Sequence, residues 1–360
     1  MVLARGFAAA ILVACSVQAA AQQVPMTPEL SAVIEAAKKE GQLDIRSTST
    51  VLGGAEGAKI AREGIKRLFG VDLQVNWSPG PAYGPLAALL NQERQAGRKA
   101  STDVFAATAV QMSPYMAQGL FQTVAWRKLM PSRIPEDAIE ADGRIIRYRT
   151  VVPSIIYNLQ EAKWVPQIKS FDDLLDPKLK GKFYTTPFLG GFDVMLSDEK
   201  WGVTGTTERI RKLGKQVAGL VGCEGVDRIA SGEIPALVVD CSGGWDQTLK
   251  YRNENVIGSH VIPDMAQKRY GYLAVPSHAA HPNAGILYAL YIDSAEGQSK
   301  IVRDYFGSDY DGFPDSLGKR EIDKLEKAGA KFVDVTMEWW RSHPEIDKVN
   351  EQLAKIVREP

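Results

Sequence analysis

Apolar positions recur at helical spacing over residues 28–39, 55–69, 85–96 and 111–119, and short runs of strand character stand between them at 42–47, 71–77 and 102–107. In the second helical run Ile60, Ile65 and Leu68 share a face, and Thr27 ahead of Pro28, with Glu29 in the first turn, marks a helix start. Strands and amphipathic helices alternating at this length predict right-handed crossovers and a parallel sheet covered on both faces, an α/β lobe. The pattern changes over 144–157, a longer extended run interrupted by Pro153, and then restarts. A strand over 182–186, helices over 207–218 and 226–231 and a strand over 234–240 predict a second α/β unit. Extended runs at 256–261 and 269–275 lead into a helical end with periodic segments at 284–292, 299–305, 319–327 and 344–357, and no internal repeat is present. Two lobes joined by two crossings fit this order, with hinges at 152–158 and 270–273. The expected division is a first lobe of 24–152 plus 273–315, a second lobe of 153–272, and a C-terminal helical segment, 316–360, packing on both.

The N-terminus changes the picture of where this chain works. Arg5 precedes an apolar stretch over 7–14, too short to cross a bilayer, and the small residues Ala19, Ala20 and Ala21 follow, so residues 1–21 read as an export signal. Leu12-Val13-Ala14-Cys15 also fits a bacterial lipoprotein cleavage site, in which Cys15 is acylated; the alternative is cleavage after Ala19 or Ala21. Either route leaves Cys223 and Cys241, for which an oxidising compartment favours a disulfide over two buried thiols. Basic and acidic residues balance at 43 each, and loss of the leader removes only Arg5 from that count. Without a long basic run, a nucleic-acid binder held by phosphate contacts is excluded, and 45% hydrophobic residues exclude a disordered tail.

Signatures of catalysis are missing. Gly53-Gly54-Ala55-Glu56-Gly57-Ala58-Lys59 has the glycines of a phosphate loop but not the Walker spacing or its Gly-Lys-Ser/Thr ending. His278 and His281 lack the zinc-protease spacing and read as surface loop histidines. Asp309, Asp311 and Gly312 suggest a calcium loop, yet its later ligand positions fall on Phe313 and Arg320. Ser242 precedes Gly243-Gly244, but Asp240 stands where a nucleophile elbow needs glycine.

The stretch from Phe171-Asp172-Asp173-Leu174-Leu175-Asp176-Pro177 to Lys178-Leu179-Lys180-Gly181-Lys182 resembles the segment after the first hinge crossing in periplasmic solute-binding proteins of ABC importers, in the branch that takes ferric iron, thiamine, polyamines and phosphonates. Ile155-Ile156-Tyr157-Asn158 before it, Ser231-Gly232-Glu233-Ile234-Pro235 entering a strand, His281-Pro282-Asn283-Ala284 opening a helix and Asp293-Ser294-Ala295-Glu296-Gly297-Gln298 closing it agree in order and spacing. The resemblance implies the two-lobed type II periplasmic-binding fold, each lobe a mostly parallel sheet flanked by helices. It further implies a monomer in the periplasm that closes on one small-molecule ligand and docks on a membrane permease, with no cofactor, no nucleic acid and no chemistry performed.

Ligands of open α/β sheets bind beyond the carboxyl ends of strands, where helix N-termini present free N–H groups. Those places carry Ser47, Thr48, Ser49 and Gly53 after the first strand, Tyr83 after the second, Thr108 after the third, and Thr185, Thr186, Asp240, Ser242 and Trp245 on the other lobe; Tyr272 joins them at the expected hinge. For each serine or threonine a helix-capping role competes with ligand contact. Ferric-binding relatives use adjacent tyrosines in the second lobe's loop. Here that loop reads Asp240-Cys241-Ser242-Gly243-Gly244-Trp245, so no metal is expected, with Glu56, Asp240 and Tyr272 as the divergent alternative. A small polar or charged organic solute fits better, Asp240 facing an amine, the aromatics enclosing the body and the hydroxyls taking an acid. Amine, acid and zwitterion stay open. An exported enzyme using Ser242 or Asp240 and an exported ligand sensor are the competing classes.

Overall fold

A computed structural model describes residues 24–222, 225–239 and 256–359. The export segment with Cys15, the cysteines Cys223 and Cys241, and the loop residues Asp240, Ser242 and Trp245 lie outside the described residues.

Helix α1 (Pro28–Glu40) starts as its sequence dictates, the Leu30 N–H donating to Thr27 Oγ1 at 3.0 Å, and ends at Gly41 in the left-handed region. Then follow β1 (Gln42–Ser47), α2 (Gly54–Phe69), β2 (Gln74–Pro79), α3 (Tyr83–Gln95), β3 (Phe105–Thr108), α4 (Ala109–Met116), α5 (Trp126–Leu129), β4 (Ile139–Glu140) and β5 (Ile145–Val151). The next group is β6 (Ile155–Asn158), β7 (Tyr184–Thr185), α6 (Gly202–Gly214), α7 (Val226–Ala230), β8 (Ala236–Val238) and β9 (Ile257–His260). The chain closes with β10 (Gln267–Ala274), α8 (Pro282–Asp293), a π-helical stretch over 298–303, α9 (Leu317–Lys327), β11 (Val333–Val335), α10 (Met337–Ser342) and α11 (Ile346–Arg358).

Two lobes follow from the strand pairing. One sheet runs β11-β10-β5-β4, with β3 also on β10 and the parallel pair β1-β2 alongside; the other runs β7-β8-β6-β9. The expected largely parallel sheets are in fact mixed. Parallel ladders join β1 to β2, β10 to β11 and β7 to β8, whereas β10 runs antiparallel to β3 and β5, and β6 antiparallel to β8 and β9. The cause is the double crossing: β10 re-enters the first lobe from the second and so opposes the strands that left it. The chain crosses at 152–154, between β5 and β6, and again at 261–266, between β9 and β10. Residues 270–273, expected at the second hinge, instead lie inside β10, paired to both β3 and β5.

Helix α8 is apolar on every side and is buried along Ala284–Asp293, packed against α1 and α2. Gly64 of α2 allows that approach, since a Cβ there would lie 2.0 Å from the Tyr291 ring. Beyond α8 the chain straddles both lobes: β11 extends the first sheet, α10 packs on α4, and α11 packs on α6. Ile322 of α9 joins Val152 and Val261 with Ala266 in one buried cluster, so the helix seals both crossings with apolar surface.

Candidate ligand cleft

At the carboxyl end of β1 the chain turns through residues 48–53 into α2, and the backbone there is unusual. Leu52 has φ 49°, Gly53 φ 77° and Gly54 φ 54°. Both glycines are required by contact as well as by dihedral angle: a Cβ on Gly53 would meet the Tyr305 ring at 2.5 Å, and one on Gly54 the Ser49 carbonyl at 2.6 Å. Ser47 Oγ accepts from Trp77 Nε1 at 3.0 Å, and the Thr48 and Thr50 hydroxyls are 3.1 Å apart. Ser47, Thr48 and Tyr83 line one cavity of about 20 Å³ together with Arg46, Gly54 and Tyr288. That space suits about one water molecule. It is too small for an organic solute.

Burial pushes the Tyr83 hydroxyl pKa up, and the charge of Arg149 partly offsets that effect. Arg149 itself, buried on β5 next to the first crossing, sets its guanidinium carbon 4.0 Å from the Phe306 ring centre. Sequence reasoning passed over it. The available signal was an Arg-x-Arg pair, Arg147 and Arg149, inside a strand flanked by apolar residues, where a charge is retained only with specific partners. Arg147 shows what such a partner does. Burial works against its charge, but Glu140, whose Oε1 accepts from Nε at 2.5 Å, with the surrounding tyrosines, raises its pKa above the usual value.

Several predicted residues have other duties. Thr108 caps α4, its hydroxyl donating to Gln111 Oε1 at 2.6 Å. Thr185 Oγ1 donates to the Val238 carbonyl at 3.0 Å, tying β7 to β8. Tyr272 is the clearest departure from expectation: it is fully buried in β10, with its hydroxyl donating to Glu140 Oε1 at 2.8 Å, and it faces the packed interior of the first lobe. Alternation along β10 decides this, because Tyr270 and Tyr272 share the face occupied by Arg147. Thr186 differs from its neighbour. It is fully buried, yet its hydroxyl has no partner among the described residues, an uncommon state for a buried donor. Positive φ values at Leu189 (50°) and Val239 (46°) flank it on the two chain segments that lead into and out of this edge.

Of the two histidines expected in surface loops, His278 does lie in a turn and His281 is engaged by a carboxylate. His278 is partly buried, which lowers its pKa, and His281 directly precedes α8 with its ring nitrogen on Asp103. The Asp309 segment is a cap and not a calcium loop, the Asp309 carboxylate accepting from Ser316 Oγ and from the Leu317 and Gly318 N–H groups. A larger groove of about 550 Å³ opens beside Arg147, Lys268, Tyr270 and Asp334, but its charges are matched internally, Lys268 lying 3.3 Å from both Asp311 and Asp334.

With two lobes, a double crossing and hydroxyl-bearing loops at the strand ends, the chain has the type II periplasmic-binding fold. No family model and no curated protein sequence matches it. Among solved structures it is similar to a substrate-binding protein of an ABC transporter from Agrobacterium tumefaciens, at 17% identity and TM-score 0.65, over 88% of this chain and 94% of that one. It is also similar to the periplasmic binding protein AfuA from Actinobacillus pleuropneumoniae with fructose-6-phosphate bound, at 15% identity and TM-score 0.64, over 88% and 99%. A third is iron-bound HitA from Pseudomonas aeruginosa, at 15% identity and TM-score 0.61, over 88% and 98%. At these identities the likeness establishes the fold.

Proposed function

We propose that this chain is the solute-binding component of an ABC importer, exported to the periplasm, which captures one small polar or charged organic solute between its lobes and delivers it to a membrane permease. The observation that carries the reading is the arrangement at the lobe edges: Tyr83, Arg149 and the Ser47–Thr48 hydroxyls on the first, and on the second a buried hydroxyl at Thr186 with no partner among the described residues, near two residues of positive φ. Polar groups at the mouth of a crevice are what a solute exchanges for water, and contacts made only on closure favour the closed state. The structurally similar proteins are transport binding proteins, and we read this chain likewise as a carrier, not an enzyme.

The bound class is inferred from charge. Arg149 with the first lobe's hydroxyls suits an acidic group, and Asp240, Ser242 and Trp245 are retained as the second lobe's contribution. The divergent ferric alternative loses one of its three ligands, since the Tyr272 hydroxyl is engaged by Glu140 deep in the sheet, and Glu56 is exposed beside Lys59. Native mass spectrometry of protein purified from its host, followed by denaturing release, tests the proposal: a single small organic mass is expected. Purely apo protein that also fails to compact in solution scattering with a broad panel of acids, amines and zwitterions would count against it.

A further inference from the structure

Three side chains distant in sequence meet on the first lobe, away from the residues assigned to the solute. Asp44 lies on β1, between the buried Leu43 and Ile45 and so on the opposite, solvent side of the strand; Asp103 precedes β3; His281 precedes α8. His281 Nδ1 stands 2.9 Å from Asp103 Oδ2 and 3.6 Å from Asp44 Oδ2. Asp103 is fully buried, while the side chains of Asp44 and His281 are 32% and 19% exposed, so the cluster is walled on one side and open to water on the other.

Both carboxylates are oriented by further hydrogen bonds. Asp103 takes the His281 N–H on Oδ1 at 2.8 Å and the Asp44 N–H on Oδ2 at 2.7 Å. Asp44 takes Gln42 Nε2 on both oxygens at 2.9 Å and Asn76 Nδ2 on Oδ1 at 2.8 Å. Such outer hydrogen bonds are what orient carboxylate ligands around an ion. Asp44 Oδ2, 3.6 Å from His281 Nδ1, is beyond hydrogen-bond reach of it, so the ring does not join the two carboxylates by itself. A single ion touching all three atoms satisfies both carboxylates at once and balances their two negative charges.

We propose that Asp44, Asp103 and His281 form a site for one divalent transition-metal ion of the zinc class, bound by two carboxylate oxygens and one imidazole nitrogen, with its remaining coordination positions open to water. Mixed nitrogen and oxygen donors at this spacing suit zinc and cobalt better than calcium or magnesium, which take oxygen ligands. Bound there, the ion clamps β1, the segment before β3 and the start of α8, and so stiffens the first lobe. This is separate from the solute and independent of its identity.

The test is titration of the purified, chelator-stripped protein with Zn2+ and with Co2+, followed by calorimetry, by the visible absorption of Co2+ and by the thermal midpoint. Expected are one equivalent bound, a cobalt spectrum typical of a low coordination number, and a raised midpoint. Asp44→Asn and His281→Gln should each weaken binding by at least ~10–100-fold and remove the midpoint shift. Asp44 lies on the solvent side, so its variant keeps the test open where His281→Gln disturbs the start of α8. Absence of metal binding by the wild-type protein overturns the proposal, as does binding that persists unchanged in Asp44→Asn.

Discussion

Arg269, the third residue of β10, grips Asp193, in the segment that follows β7, by a two-pronged ion pair with Nη1–Oδ1 2.6 Å and Nη2–Oδ2 2.8 Å. Both side chains are largely buried and the guanidinium also lies 5.6 Å from the Trp340 ring centre, so one contact ties the first sheet, the second lobe and the C-terminal segment together. Removing one member of such a pair strands a buried charge. Asp193→Asn is therefore expected to lower stability by about 3–5 kcal/mol, and Arg269→Met combined with Asp193→Leu by markedly less than the two single losses added. Urea unfolding of the wild type, Asp193→Asn, the single variants Arg269→Met and Asp193→Leu and their double checks this; additive losses would show that the pair is not coupled.

Asp293, at the end of α8, is fully buried, with neither carboxylate oxygen partnered among the described residues. Burial holds its pKa well above the usual carboxylate range, and the nearby charge of Arg133 pulls the other way without prevailing. The folded state thus binds a proton that the unfolded state releases near pH 4. The stability this gives is complete below that pH and declines as pH rises towards the folded pKa. Asp293→Asn, which keeps the shape and removes the ionisation, should raise the thermal midpoint at pH 7 and leave it little changed at pH 3.5. A variant less stable at both values would refute the assignment.

How far the sequence reveals this molecule depends on the range of the interaction. Helix starts governed by neighbouring residues, such as Thr27 at α1, are plain in the chain, and so is the succession of strands that gives two lobes. Ladder direction is not: the antiparallel entry of β10 depends on where the chain returns, which periodicity does not record. The same limit hides the partners of His281, since Asp103 stands 178 residues away and Asp44 farther still. Tyr272 misled for a related reason. A tyrosine near a hinge can face a crevice or a core, and only the strand register, which sets it against Arg147, decides for the core.

That placement of Tyr272 makes a separable prediction. Tyr272→Phe removes the hydrogen bond to Glu140 and leaves the ring, so stability should fall by about 1 kcal/mol, with more if Glu140 is left short of donors. Solute affinity should stay within experimental error of the wild type. A tenfold loss of affinity at unchanged stability would move Tyr272 back to the crevice.

Arg149 carries the opposite expectation. Its charge reaches the Tyr83 hydroxyl and its carbons stack on Phe306, so the guanidinium is held at the edge of the first crossing before any solute arrives. A preoriented guanidinium binds a carboxylate or phosphonate through two parallel hydrogen bonds, which a lysine ammonium cannot reproduce. Arg149→Lys should therefore weaken binding of the co-purifying solute about tenfold or more if that solute is an acid, and Arg149→Gln further, with Tyr83→Phe affecting binding less than either. The readout is calorimetric affinity, with circular dichroism confirming that each variant is folded. Should Arg149→Gln bind the released solute as tightly as the wild type, the acidic class assigned to the first lobe falls, and the solute's charge has to be met from the second.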